Sequence, residues 1–254
     1  MLTPDKTETS TAFAEKLENA LSQKLNVLDD SMSLAAYASV SPATPFNLTA
    51  EESKKIGAAI GCDAFILLRS MVQRRSAYKR DEYYEAYAAI YVVSSRTGRL
   101  VFWKLQRFEA PKPDKAAKLL ADSTGALASE VADKLHAAIK NELAEPVPAA
   151  MEDVPDENSR AAKGFRAPIP YRRIKPEYTA QAALYDVAAT VEMLVDLDEK
   201  GTILRTEIVR WAGFGLDESV DKTVRAMNWR PAERNGKSLP MRFLLRYNFK
   251  KAGQ

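Results

Sequence analysis

Cysteine occurs once, at Cys62, and histidine once, at His136, in a chain of 254 residues. A single cysteine forbids an internal disulfide and leaves the redox compartment open. One of each falls short of the three or four ligands a zinc site needs. Neither stands in a motif that would pair a nucleophile with a base, so nothing points to covalent catalysis. Cys62, between Ile60 and Phe65, reads as a small buried residue, and His136 as a surface or flank position on a helix. No run approaches the ~18 apolar residues of a membrane helix. The opening residues, Met1 to Glu8, have no basic start and no apolar core, so they show no secretory signal; an anchor or signal ahead of Met1 stays open.

Three near-motifs are incomplete. Asp196, Asp198, Gly201 and Glu207 mimic a calcium loop, but Lys200 falls among the ligand positions and the flanks alternate like strands. Asn235-Gly236-Lys237-Ser238 has the tail of a phosphate-binding loop, with Pro231 where its first glycine belongs. Gly213-Phe214-Gly215 lacks the rest of a dinucleotide fingerprint. The carboxylate pairs Glu51/Glu52 and Asp217/Glu218 begin helices, where negative charge favours the dipole. Neither enzyme activity nor any metal or cofactor is expected.

What is present describes a globular chain, 46% hydrophobic and 28% charged, long enough for two domains. The net charge of +3 is uneven: residues 160–254 carry 18 basic and 11 acidic side chains. Acids interleave the bases throughout, which argues against a phosphate-tracking stripe and against nucleic acid.

The expected architecture is α+β / α/β in two domains. In the first, 10–143, residues 1–9 read as frayed. Phe13, Leu17, Leu21 and Leu25 mark a helix of about four turns. Asn26-Val27-Leu28 reads as a short strand and the Ala-rich Ser31–Val40 as a helix. Thr49 and Glu52 form a capping box, and the helix they start ends at Gly61. Three strands follow, Asp63–Arg74, Tyr83–Val93 and Arg99–Phe108, the first dense enough for a sheet centre. A single long helix, Asp114 to Leu143, buries Leu119, Leu120, Leu127, Val131, Leu135 and Ile139. The result is a mixed sheet with helices packed on it. Residues 144–170, rich in proline and acidic from Glu152 to Glu157, read as an extended, solvated linker.

In the last domain, 171–250, a helix starts near Pro176 and Tyr178. Ala188–Leu197 and Thr202–Arg210 make a hairpin, Leu216–Met227 an amphipathic helix, and Met241–Phe249 a closing strand. Trp211, Phe214, Trp229, Phe243, Tyr247 and Phe249 read as core of a small domain, with exposure the alternative for Trp211 and Phe214 because they fall on a loop. No later strand covers Met241–Phe249, so its backbone is available to an extended peptide. The competing reading is an edge blunted by Arg242, Arg246, Lys250 and Lys251.

The order helix–strand–strand–helix–strand is accompanied by four markers. They are Pro176-Glu177-Tyr178, the run from Val191 through Asp196-Leu197-Asp198 to Gly201, Gly215-Leu216-Asp217, and Asn228-Trp229-Arg230-Pro231-Ala232 ahead of Asn235-Gly236-Lys237. In these the last third of the chain resembles the carboxy-terminal domain of the TonB family of energy transducers. The resemblance implies a non-catalytic periplasmic protein of the cell envelope. Its last strand would pair with a peptide from an outer-membrane receptor, in energy-coupled transport. Carried onto this sequence, the partner contacts are Arg242, Leu244, Arg246 and Asn248, with Gln181 on the first helix. Thr179 and Ala189 stand where the family often has Pro and Gly, and the family's longer spacer and membrane anchor are not seen. The alternative is an envelope adaptor that dimerises through the same edge. The first domain, on Gly61-Cys62-Asp63-Ala64-Phe65-Ile66-Leu67 and its element order, is similar to the amino-terminal domain of TolB and related envelope lipoproteins.

Overall fold

The computed structural model describes residues 1–77, 80–146 and 148–251. The chain divides into two compact units, Met1–Glu145 and Pro146–Gln254. Helices and antiparallel sheets occur in both, an α+β architecture.

The first unit runs α1 (Glu8–Leu21), α2 (Asp30–Val40), α3 (Ala50–Ile60), β1 (Ala64–Ala77), β2 (Arg80–Ser94), β3 (Leu100–Ala110), α4 (Pro113–Asp122) and α5 (Thr124–Ala144). The strands form an antiparallel meander, β1-β2-β3. Even-numbered residues of β1 and β2 (Ile66, Leu68, Ala88, Ile90, Val92) share one core with Phe13 and Leu17 of α1, Leu120 of α4, and Leu127 and Val131 of α5. The capping box is formed, with Glu52 accepting from the Thr49 amide at 2.8 Å, and Gly61 closes α3 in a left-handed conformation.

Several expectations for this unit are corrected. The sheet is not mixed among its named strands; among the described residues its one parallel element is a bridge from Leu2 to Leu67. That bridge also removes the frayed start. The Leu2 amide donates to Ile66 and its carbonyl accepts from Leu68, both at 2.9 Å, and the side chain is 1% exposed. Asn26-Val27-Leu28 is a loop, not a strand. The sheet centre is β2, buried continuously from Ala86 to Val93, while β1 lies at an edge; apolar density alone does not separate the two. The long helix breaks at Ser123. There the Ser123 and Thr124 hydroxyls donate back to the Leu120 and Ala121 carbonyls at 2.6 and 2.9 Å, competing with the helical ladder. Leu119, expected to be buried, is exposed on α4. Cys62 is half-buried and burial pushes its thiol pKa up; His136 is exposed.

The second unit contains β4 (Phe165–Arg166), β5 (Ile169–Pro170), α6 (Ala180–Leu184), β6 (Ala189–Leu197), β7 (Ile203–Arg210), α7 (Leu216–Arg225), β8 (Trp229–Arg230), β9 (Ala232–Arg234), β10 (Lys237–Leu239) and β11 (Met241–Phe249). Its main sheet has the order β11-β6-β7, antiparallel throughout. Alternation places Val191, Met193, Val195 and Leu197 of β6 on the core face, all at 0% exposure, against Leu216, Val220 and Val224 of α7. Two smaller sheets, β10-β9-β4 and β5-β8, complete the unit. Asn235 and Gly236 turn between β9 and β10 with φ of 52° and 81°, the primed-turn geometry such a hairpin requires.

Trp211 and Phe214 are core, as expected, buried at 1% and 7% despite their place on a loop. Gly213, Phe214 and Gly215 all adopt positive φ, and this chain of left-handed residues folds the loop inward. Residues 144–170 are not simply an extended connection either. Phe165–Arg166 pairs with β9, Ile169–Pro170 with β8, and Asp153 bridges to Arg242; Val147 lies outside the described residues.

Candidate functional site

The candidate site is the outer border of β11. On its inner side β11 pairs with β6 residue for residue, from Met241 with Leu197 to Phe249 with Ala189. No named strand lies on its other side. In an antiparallel strand the backbone groups of alternate residues face opposite neighbours. Arg242 sets the phase: its amide donates to the Glu152 carbonyl at 2.8 Å and its carbonyl accepts from the Val154 amide at 2.9 Å, both away from β6. The outward groups therefore belong to Arg242, Leu244, Arg246 and Asn248. Among the described residues, Leu244, Arg246 and Asn248 have no backbone partner on that side.

The side chains of these four lie on the face opposite the core, each over its cross-strand neighbour. Arg242 grips Asp196 through two bonds of 2.6 and 2.8 Å, which raises the arginine's pKa. Arg246 reaches Glu192 at 2.6 Å, and Asn248 accepts from Thr190 at 2.8 Å. Leu244 has no such bond and is 49% exposed. Both arginines are thus folded back onto acids of β6, and Lys251 is paired with Asp186. Of the cations expected to blunt the edge, Arg242 and Arg246 thus meet acids of the sheet, Arg246 sharing Glu192 with Arg210.

Beside the strand runs a groove of about 610 Å³. Its walls are Val154–Glu157, the stretch from Ala167 to Ile174, and the β11 residues Phe243–Tyr247, with Trp229 at its floor. Trp229 and Phe243 pack with ring centroids 5.0 Å apart. Consecutive β11 residues, Phe243 to Tyr247, line it, so it runs along the strand's border. Gln181 is exposed on α6 and does not line the groove, so the structure does not bring it together with the other four.

The remaining near-motifs are used up structurally. Asp196 is held by Arg242, while Asp198 accepts from the Lys200 and Thr202 amides at 2.9 and 2.7 Å and shapes the β6–β7 turn. Asp217 accepts from the amides of Ala212 and Gly213 at 2.9 and 2.7 Å, and burial still pushes its pKa up to about 7. Glu152 is bound by Arg234 at 2.5 Å, and that bond holds its carboxyl below the usual range. Glu152, Val154 and the 167–174 wall were not among the residues expected at the site. The acidic, proline-rich composition of 144–170 marked it as unlike a core, but gave no register against β11.

Residues 174–250 match the family model described as the Gram-negative bacterial TonB protein C-terminal. This part of the chain is a TonB C-terminal domain. Among solved structures, a Pseudomonas aeruginosa TonB C-terminal domain determined by NMR is similar at 17% identity, covering 42% of this chain and 99% of its own, with a TM-score of 0.31. The hypothetical protein CT253 from Chlamydia trachomatis is similar at 10% identity, covering 54% of this chain and 88% of its own, with a TM-score of 0.30. No curated protein matches. The β11 edge lies inside the TonB C-terminal domain, while the groove walls from Val154–Glu157 and from Ala167 to Arg173 precede it. A TonB C-terminal domain is a protein-interaction module, and no helix among the described residues is long and apolar enough to cross a membrane.

Proposed function

We propose that this is a non-catalytic protein of the periplasm and cell envelope, and that its TonB C-terminal domain captures an extended segment of a partner, of the outer-membrane receptor type, by strand addition in energy-coupled transport. One observation carries the reading: the outward backbone groups of Leu244, Arg246 and Asn248 have no partner among the described residues. Main-chain bonds along such an edge give affinity, and pockets for alternate side chains give selectivity. The groove beside Phe243–Tyr247 supplies the pockets. Arg242 is held by Asp196, which lessens at the start of the strand the charge by which edges are commonly protected.

The test is a titration of the labelled full chain with synthetic peptides copying receptor amino-terminal segments. Amide shifts should concentrate at residues 244–248, and shifts confined to other regions would refute strand capture. A second reading is favoured by the exposure of Leu244 on an unpaired border, which suits a second copy of this chain equally. Sedimentation over a concentration range separates them, since a tight dimer through β11 leaves no edge for a peptide.

A further inference from the structure

The edge of β11 is already engaged at its first position by the chain itself. Glu152 and Val154 flank Arg242 with two backbone bonds of 2.8 and 2.9 Å, in a parallel bridge centred on Asp153. The contact ends there. Among the described residues no backbone bond joins the segment to Leu244, and the chain turns away where the Ser159 amide donates to the Asp156 carbonyl at 2.9 Å. A latch holds the bridge in place: Glu152 meets Arg234 through two bonds, at 2.5 and 3.3 Å. Both partners are partly exposed, with side chains 51% and 34% accessible, so the latch is weak and sensitive to salt.

We propose that the acidic segment Glu152–Glu157 is an internal competitor for the β11 edge, occupying its first pairing position and excluding a captured strand from it until the segment detaches. The proposal rests on strand capture as the use of that edge. Three features fit it. The segment is extended and pairs by main chain, as a captured strand does. Glu152, Asp153, Asp156 and Glu157 make it acidic beside a strand bearing Arg242 and Arg246. Pro155, whose backbone faces away from β11 in this register, has no N–H to offer, so the docked segment is a poor template for a further strand. Because the segment is tethered, it competes at a high effective concentration without needing a large contact. A longer strand that reaches Leu244, Arg246 and Asn248 as well as Arg242 gains pairs the segment does not make, and so displaces it.

The experiment uses the isotope-labelled full chain and, as probe, a blocked synthetic peptide copying Ala150–Glu157. It is titrated into the wild type, into the double variant Glu152→Ala/Val154→Pro, which lacks the latch and the donor to Arg242, and into Arg234→Gln, which loosens the latch from a surface position and leaves the segment's sequence intact. The competitor predicts that the Arg242 amide responds in the double variant at peptide concentrations about tenfold lower than in the wild type, while Arg234→Gln, which removes the latch from the free peptide as well, gives no such gain. Equal binding to the wild type and the double variant overturns the competitor while leaving strand capture standing. Absence of binding to every chain also overturns it, and strand capture is then judged separately by the receptor-type peptides.

Discussion

Arg242 and Asp196 stand opposite each other on β11 and β6, and the guanidinium grips both carboxylate oxygens, at 2.6 and 2.8 Å. The side chain of Asp196 is only 8% exposed. The pair therefore does two things: it balances a nearly buried carboxylate and keeps a cation from projecting over the edge.

Removing the arginine strands that carboxylate. Arg242→Ala should lower the stability of the second unit by about 2–4 kcal/mol, because breaking a buried pair leaves an uncompensated charge. Urea unfolding followed by tryptophan fluorescence measures this, as Trp211 and Trp229 report on that unit. A midpoint equal to the wild type would show the pair contributes nothing.

The β6 core face gives a second expectation. Leu197 is fully buried, so Leu197→Ala should cost about 2–5 kcal/mol through lost burial and the cavity left behind. Leu204→Ala on β7, where the side chain is 59% exposed, should stay within about 0.5 kcal/mol of the wild type. Denaturant midpoints of the two variants test the contrast.

Two glycines separate backbone strain from space. Gly201 and Gly236 share nearly the same positive φ, 83° and 81°. A Cβ on Gly201 would lie 2.1 Å from the Trp229 carbonyl oxygen, whereas one on Gly236 meets nothing within 4 Å. Gly236→Ala should therefore cost only the strain of a left-handed alanine, about 1–2 kcal/mol. Gly201→Ala should cost distinctly more, and thermal unfolding of the pair should rank them so.

Acidity should act through Asp217. Its folded-state pKa, about 7, lies above the ordinary value of 3.8, so the folded state binds the proton more tightly than the unfolded chain. The resulting stability is fully present below about pH 4 and is lost as pH rises toward 7. Asp217→Asn cannot titrate, and urea midpoints across that range should lose the corresponding downward slope. Retention of the slope in the variant would assign it to other groups.

The main elements of the second unit, β6, β7, α7 and β11, were legible because each depends on near neighbours in sequence, whereas the short β4, β5, β8, β9 and β10 were not read. The alternation Val191, Met193, Val195, Leu197 dictates a strand with one apolar face, and Leu216, Val220, Val224 a helix with another. The capping box at Thr49 and Glu52 and the turn at Asn235-Gly236 are equally local. The long helix failed as a single element for a local reason too: the Ser123 and Thr124 hydroxyls compete for carbonyls in a way that apolar periodicity does not register.

The amino-acid sequence by itself determined the identity and order of most elements, the markers of a TonB C-terminal domain and the choice of β11 as closing strand. Tertiary structure alone decided which neighbours each strand received. It placed β1 at a border and β2 at the centre, turned Trp211 and Phe214 inward, folded Arg242 and Arg246 onto β6, and laid Glu152–Val154 across the first position of β11. The reason is physical. Periodicity and capping are set by residues a few places apart, whereas pairing along a sheet border joins segments such as Val154 and Arg242, whose backbone groups look alike at every position until the fold brings two of them together.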